Sequence, residues 1–124
     1  MKKVKIYIAG AYGGDNISNI RTAVRVADSI LHYFKGRVTV YVPHLTGFWD
    51  LVVHHDVYFW YAFDLDWLEV CDIVYRIPGE SLGSDKEVEY AKAIGKVVFF
   101  PDAVMPTLDS GIFQALSEVI DAIK

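Results

Sequence analysis

Apolar residues fall into short blocks separated by glycine, proline and polar loops, and the blocks alternate between strand-like runs and helical spacing. Val4 to Ala9, V-K-I-Y-I-A, reads as a buried strand. It ends at Gly10-Ala11-Tyr12-Gly13-Gly14-Asp15-Asn16, a glycine-rich loop with two good capping residues. Helical spacing follows to about Lys35, with stripes at Ile20, Val24, Ala27, Leu31 and at Ala23, Ile30, Phe34, and Gly36 stands where a helix would stop. Val38 to Val42 predicts a second strand, stopped by Pro43. From Pro43 to about Asp56, turn residues and three of the four histidines break the pattern and predict an irregular excursion with one helical turn. A helix is predicted from about Val57 to Cys71, a strand at Ile73 to Ile77, and a further helix ending at Ile94 before Gly95. Val97 to Phe100 predicts a fourth strand before Pro101. The last helix is predicted from about Ser110 to Ile123, with Ile112, Phe113, Leu116, Val119, Ile120 and Ile123 on one side.

This order predicts one α/β domain over residues 1–124: a flavodoxin-like, doubly wound parallel sheet of about four strands with helices on both faces. Right-handed crossovers place the first and third strands side by side, where the winding reverses. The glycine loops 10–16 and 78–84 then flank the crevice at the strands' carboxyl ends, the default ligand site of such sheets.

Two carboxylates break the polar-out rule. Ser84 and Glu87 have capping-box spacing, so the helix after the second loop is expected to start at Ser84. At 3.6 residues per turn, Ala91 and Ile94 lie within roughly 40° of Glu87, while Glu89 lies roughly opposite. Glu87 therefore faces the sheet, either as a cap for its own helix or as a residue that meets a ligand. On the helix from Val57, Asp64 shares a face with Trp60, Trp67, Leu68 and Cys71, whereas Asp66 and Glu69 lie on the far side. Asp64 is thus a paired structural acid or a site residue. Tyr58, Tyr61 and Leu65 make that helix apolar almost all round. This predicts a second buried face against another copy, a homodimer or larger assembly through the 57–68 aromatic helix.

Composition narrows the chemistry. Of 124 residues 53% are hydrophobic, enough for a core, and the net charge of −4 comes without a basic run, which argues against nucleic-acid binding. One cysteine, Cys71, leaves no disulfide framework and no cysteine pair for zinc. His44, His54 and His55 form no convincing metal motif, so neither metal nor cofactor is expected. His44, just after Pro43, is placed to reach the crevice instead. No segment approaches the roughly 18 apolar residues of a membrane helix, and Met1-Lys2-Lys3 leads straight into a strand, so no membrane partner and a cytoplasmic location are expected. A phosphate-chain hydrolase is disfavoured because G-x-x-x-x-G-K-[ST] is missing.

Three segments carry a resemblance. I-Y-I-A-G (Ile6 to Gly10), D-L-D-W-L-E-V-C-D (Asp64 to Asp72) and S-L-G-S-D-K-E-V-E-Y-A (Ser81 to Ala91), in this order, resemble the nucleoside 2-deoxyribosyltransferase-like superfamily. That superfamily includes the 2′-deoxynucleoside 5′-monophosphate N-hydrolases and small uncharacterised phage and prokaryotic proteins. The resemblance covers nearly the whole chain. It implies Glu87 as nucleophile, Asp64 as the acid that holds the sugar or orients the nucleophile, and Tyr7 as the first-strand tyrosine. Ser81 stands where base-exchanging members tend to carry aspartate and monophosphate hydrolases carry serine. The resemblance therefore tilts the substrate toward a 5′-phosphorylated nucleoside, with Gly13, Gly14 and Ser81 around the phosphate. Asp85 and Glu89 replace residues that are small in the better-known enzymes. With the crevice argument, the expected ligand-contacting set is Gly10, Gly13, Gly14, Asp15, His44, Glu80, Ser81, Gly83, Ser84 and Asp85. The expected activity is cleavage or base exchange at an N-glycosidic bond of a deoxynucleoside or its monophosphate. The rival expectations are a nucleotide-binding module of the same fold without the chemistry, and an assembly protein built through the Tyr58/Tyr61/Leu65 strip.

Overall fold

β1 (Val4–Ala9) forms the middle of the sheet, and every residue in it except Lys5 is buried. It pairs in parallel with β2 (Val38–Tyr41) on one side, Val4 opposite Val38 and Tyr7 opposite Tyr41. On the other side it pairs in parallel with β3 (Ile73–Arg76), Tyr7 opposite Val74 and Ala9 opposite Arg76. β4 (Val97–Phe99) completes the sheet beside β3. The computed structural model describes residues 2–123, and among them the strand order is β2-β1-β3-β4, all parallel: the expected flavodoxin-like order with β1 and β3 adjacent at the switch point.

Alternation along β1 and β3 sorts the core. Ile6, Ile8, Ile73 and Tyr75 pack with α1 (Asn16–Phe34) and α5 (Ile112–Ile123), through Val26, Ile30, Leu116 and Ile120. Tyr7, Ala9 and Val74 take the other face, against Leu68 and Cys71 around the end of α3 (Val57–Val70) and Val88 and Ala91 of α4 (Leu82–Ala93). Helices therefore cover both faces. Cys71 is buried between these layers as a free thiol, and burial pushes its pKa up to about 11. No helix among the described residues is long and apolar enough to cross a membrane.

Several boundaries differ from expectation, each for a local reason. The 43–56 stretch is more regular than predicted. A single 3-10 turn, Pro43–Leu45, runs into α2 (Thr46–Val52), whose apolar residues Phe48, Leu51 and Val52 are exposed and so leave no helical stripe to read. α4 begins a turn earlier than Ser84: Ser81 is its cap, and the Ser81 hydroxyl accepts the Ser84 N–H at 3.1 Å. Ile77 leaves the strand proper, though its N–H still donates to the Ala9 carbonyl at 2.8 Å. Phe100 lies beyond β4 and is exposed, as is Ile94 at the end of α4. α5 starts at Ile112 because Gly111 is left-handed, with φ of 77°; the Ser110 hydroxyl donates to the Thr107 carbonyl and accepts the Ile112 N–H at 3.3 Å. The two stripes of α1 separate: Ala23, Ile30 and Phe34 are buried, joined by Val26, while Val24 and Leu31 border an apolar hollow of about 530 Å³ with Trp49 and Trp67. The α3 strip also divides. Tyr58 is 80% exposed, Leu65 packs on the core, and Tyr61 lines the crevice.

Candidate active site

The site is assembled from the sheet outward. Tyr7 is fully buried on the α3/α4 face of β1, and its hydroxyl donates to the Glu87 carboxylate. Since Ser81 caps α4, Glu87 lies in the second turn and makes no cap, which removes the bland explanation for its inward direction. Asp64, on α3, accepts a hydrogen bond from the Tyr41 hydroxyl at 3.0 Å. Tyr41 is stacked with both Tyr7 and Trp67, with ring centroids 5.6 Å apart in each pair. The result is one aromatic layer from which two phenols each reach one carboxylate.

Both acids are shifted. Burial pushes Glu87 up to about 7; the negative charge of Asp64 adds to this, while the Tyr7 bond and the Arg76 charge oppose it. Burial likewise raises Asp64 to about 7 against the stabilising Tyr41 bond. Tyr7 and Tyr41 are themselves pushed well above the phenol range, chiefly by burial and then by the neighbouring acids, so both remain donors. The Asp64 charge acts on Glu87, so the two titrations near neutrality are coupled. Clustered, perturbed acids in a cleft are a signature of chemistry more often than of structure.

Glu87 and Asp64 open onto a crevice of about 500 Å³ at the carboxyl ends of β1 and β3. Gly10, Tyr12, Gly13 and His44 line one part of it, and Ser81, Gly83 and Ser84 another. The remaining wall comes from the end of α2, the loop after it and the start of α3, with Asp50, His54, His55, Trp60 and Tyr61. Asp50 fastens that wall. It accepts the Trp60 indole N–H at 2.7 Å, the His55 N–H at 2.8 Å and His54 Nδ1–H at 3.1 Å, and these bonds hold its carboxyl down at about 2. His44 is buried, with Nε2 3.1 Å from the carbonyls of both Gly10 and Ala11. Carbonyls only accept, so Nε2 carries the hydrogen, and burial lowers the pKa of the ring and keeps it neutral. Two glycines set the clearances. A Cβ at Gly10 would lie 3.1 Å from Ile77 Cδ1, and one at Gly47 only 2.5 Å from the Tyr12 hydroxyl.

Of the residues singled out in the sequence, Glu87, Asp64, Gly10, Gly13, His44, Ser81, Gly83 and Ser84 border the crevice, and Tyr7 lies behind Glu87. Four do not line it. Asp15 caps α1 by accepting the Ser18 N–H, and Gly14 serves the turn before that cap with φ of 84°. Glu80 is exposed, and Asp85 faces outward in an ion pair with Arg76 at 3.1 Å. Ser81 borders the crevice with its hydroxyl already engaged: it accepts the Ser84 N–H and donates to Ser84 Oγ at 2.9 Å. No group of three His, Cys, Asp or Glu side chains that could hold a metal ion occurs among the described residues.

Reading the sequence did not single out Tyr41, Tyr12, Asp50 or Arg76. Tyr41 was visible in principle, since pairing the first two strands in parallel sets it beside Tyr7. Asp50 was not, because the Trp60 indole reaches it only when α2 lies against α3.

The flavodoxin-like parallel sheet is a nucleoside 2-deoxyribosyltransferase-like fold by its likeness to a solved structure. Among solved structures the chain is similar to a 2-desoxiribosyltransferase from Leishmania mexicana, at 25% identity and a TM-score of 0.53. The match covers 80% of this chain and 65% of the other, so the chain spans less than two thirds of that protein's length. No family model matches the chain, and no curated protein does.

Proposed function

We propose that the crevice cleaves or exchanges the N-glycosidic bond of a 2′-deoxynucleoside or its 5′-monophosphate, with Glu87 as the nucleophile. The observation that carries this reading is the pair of phenol–carboxylate bonds, Tyr7 to Glu87 and Tyr41 to Asp64, on one aromatic layer beside the cavity. The similarity to a deoxyribosyltransferase supports the same kind of reaction.

Ionised Glu87 attacks the anomeric carbon as the C–N bond breaks, and the bond's electron pair leaves with the base nitrogen. The charge that builds on the sugar is oxocarbenium-like, and a carboxylate held in a desolvated site stabilises it. Tyr7 fixes one Glu87 oxygen and leaves the other to react. Asp64, titrating in the same range, holds a sugar hydroxyl or gives the departing base its proton. Water or a second base then attacks the glycosyl ester on Glu87 and returns the free carboxylate. Which acceptor arrives decides between hydrolysis and transfer.

The Asp64 and Glu87 carboxylates, the serine hydroxyl of Ser84 and a lining without lysine or arginine fit a nucleoside better than a strongly anionic ligand. The same reading includes self-assembly through α3, whose Tyr58 is exposed and whose Trp67, on the other side of the helix, borders the apolar hollow against α1.

The test is chromatographic detection of free base after incubation with a panel of deoxynucleosides and their 5′-monophosphates. Release that disappears in Glu87→Ala supports the enzyme. A ligand-dependent rise in melting temperature without release makes the protein a binding module, and neither response discards both.

A further inference from the structure

Arg76 closes β3 and is the one strand residue among those described whose charged side chain is almost fully buried, at 8% exposure. In register with Ala9, it lies on the face shared by Tyr7, Val74 and Glu87. Its guanidinium donates to three acceptors: the Ile77 carbonyl, the Gly79 carbonyl at 2.8 Å and Asp85 Oδ1 at 3.1 Å. These span the turn after β3, where Gly79 has φ of 132°, and reach the first turns of α4. A lysine could not make this fork, because its single ammonium cannot span three separated acceptors in fixed directions.

We propose that Arg76 is a positioning residue for Glu87, tying the 77–79 turn to α4 and keeping a buried positive charge behind the carboxylate. Asp85 is its formal partner, but the Asp85 side chain is 65% exposed, so water screens that pair. A buried cation with only a screened partner and two carbonyls keeps much of its field for a desolvated anion on the same side of the sheet, and buried Glu87 of α4, where the Arg76 charge acts, is such a group. The groups facing Glu87 are Tyr7 from β1, Tyr41 from β2, Asp64 and Tyr61 from α3, and Arg76 from β3. Arg76 is the only cation among them, and it opposes burial and Asp64 in setting the Glu87 proton. The inference rests on the proposed function only for the meaning of that proton, since the nucleophile must be ionised to attack.

Two substitutions separate charge from geometry. Arg76→Gln keeps a donor for the turn and removes the charge; Arg76→Lys keeps the charge and removes the fork. Glu87 is titrated by carbon NMR of labelled glutamate carboxyls in the ligand-free protein, together with amide hydrogen exchange at residues 82–84. Arg76→Gln raises the Glu87 midpoint by about one unit. Arg76→Lys leaves the midpoint near that of the parent while exchange at 82–84 speeds up. Equal midpoints in all three proteins, or equal rises in both variants, overturn the proposal. If Arg76→Gln does not fold, Arg76→Lys decides alone: a retained midpoint with faster exchange supports it, and a raised midpoint overturns it. The titration uses no substrate, so it is independent of the enzymatic reading. A shifted midpoint with no base release from any tested compound would uphold Arg76 and sink the glycosidase.

Discussion

The Tyr7 hydroxyl donates to the Glu87 carboxylate across 80 positions of sequence, linking the centre of the sheet to the second turn of α4. A short polar residue could not span that gap, and a phenol does so while its ring stays in the stack with Tyr41. The bond favours the ionised acid in a place where burial favours the neutral one.

Tyr7→Phe keeps the ring and deletes the donor. The Glu87 pKa then rises, so the acid limb of the pH–rate profile for base release moves up by about one unit. At pH 7 the rate falls about fivefold, since a shift of that size takes the ionised fraction from about one half to about one tenth. An acid limb that stays in place rules out this bond as the tuning element.

Asp64→Asn acts in the opposite sense on the same limb. It removes the negative charge that raises Glu87, while the amide oxygen can still accept from Tyr41. The limb moves to lower pH, and the rate falls about 100-fold or more through loss of the acid's own role. A normal rate with a displaced limb reduces Asp64 to an electrostatic neighbour.

Stability follows from the same shifts. Glu87 and Asp64 have folded pKa values of about 7, above their ordinary values of 4.5 and 3.8, so the native state binds more protons than the unfolded chain between those limits. Their contribution is fully present below the ordinary carboxylate range and declines as pH rises to about 7. Glu87→Gln stabilises the protein at pH 8, by on the order of 2 kcal/mol, and has little effect at pH 4. Thermal denaturation at both pH values checks this, and equal gains at the two would contradict it.

Gly47→Ala tests the crevice mouth. The new methyl group would sit 2.5 Å from the Tyr12 hydroxyl, so the phenol must swing. Tyr12 is 40% exposed and can move, so folding stability changes by less than about 1 kcal/mol. Ligand affinity drops instead, and Tyr12→Phe in the same background restores it. Isothermal titration with a deoxynucleoside reads both, and a failed rescue places the effect in the α2 backbone.

Assembly through α3 predicts that Tyr58→Glu lowers the mass measured by light scattering to that of one chain. An unchanged mass removes α3 from the interface.

The fold was legible because its signals are local and redundant. Gly36 and Gly95, both left-handed with φ of 78° and 80°, fall just after helices whose spacing had already marked their ends. The direction of Glu87 was legible too, since Val88 and Ala91 beside it admit only one face to the sheet. The start of α4 was not. Ser81 and Ser84 both offer a hydroxyl three residues ahead of a polar residue, and the choice fell to Tyr7, which draws Glu87 away from any cap. Arg76 was hidden inside an apolar run, where a strand reading notes the neighbours and passes over the charge. Asp15 belonged to the right loop and Asp85 to the start of α4, but they are spent on a cap and an ion pair, a division that depends on side-chain direction.

The sheet's two faces are unequal. The α1/α5 side is a wide, mainly apolar seam that includes Tyr75, whereas the α3/α4 side is narrower and carries Tyr7 and the acids. Robustness and reactivity therefore reside in separate layers that meet only at the backbone of β1 and β3. Libraries that diversify α3, α4 and the crevice rim can explore new ligands while the opposite seam keeps the chain folded.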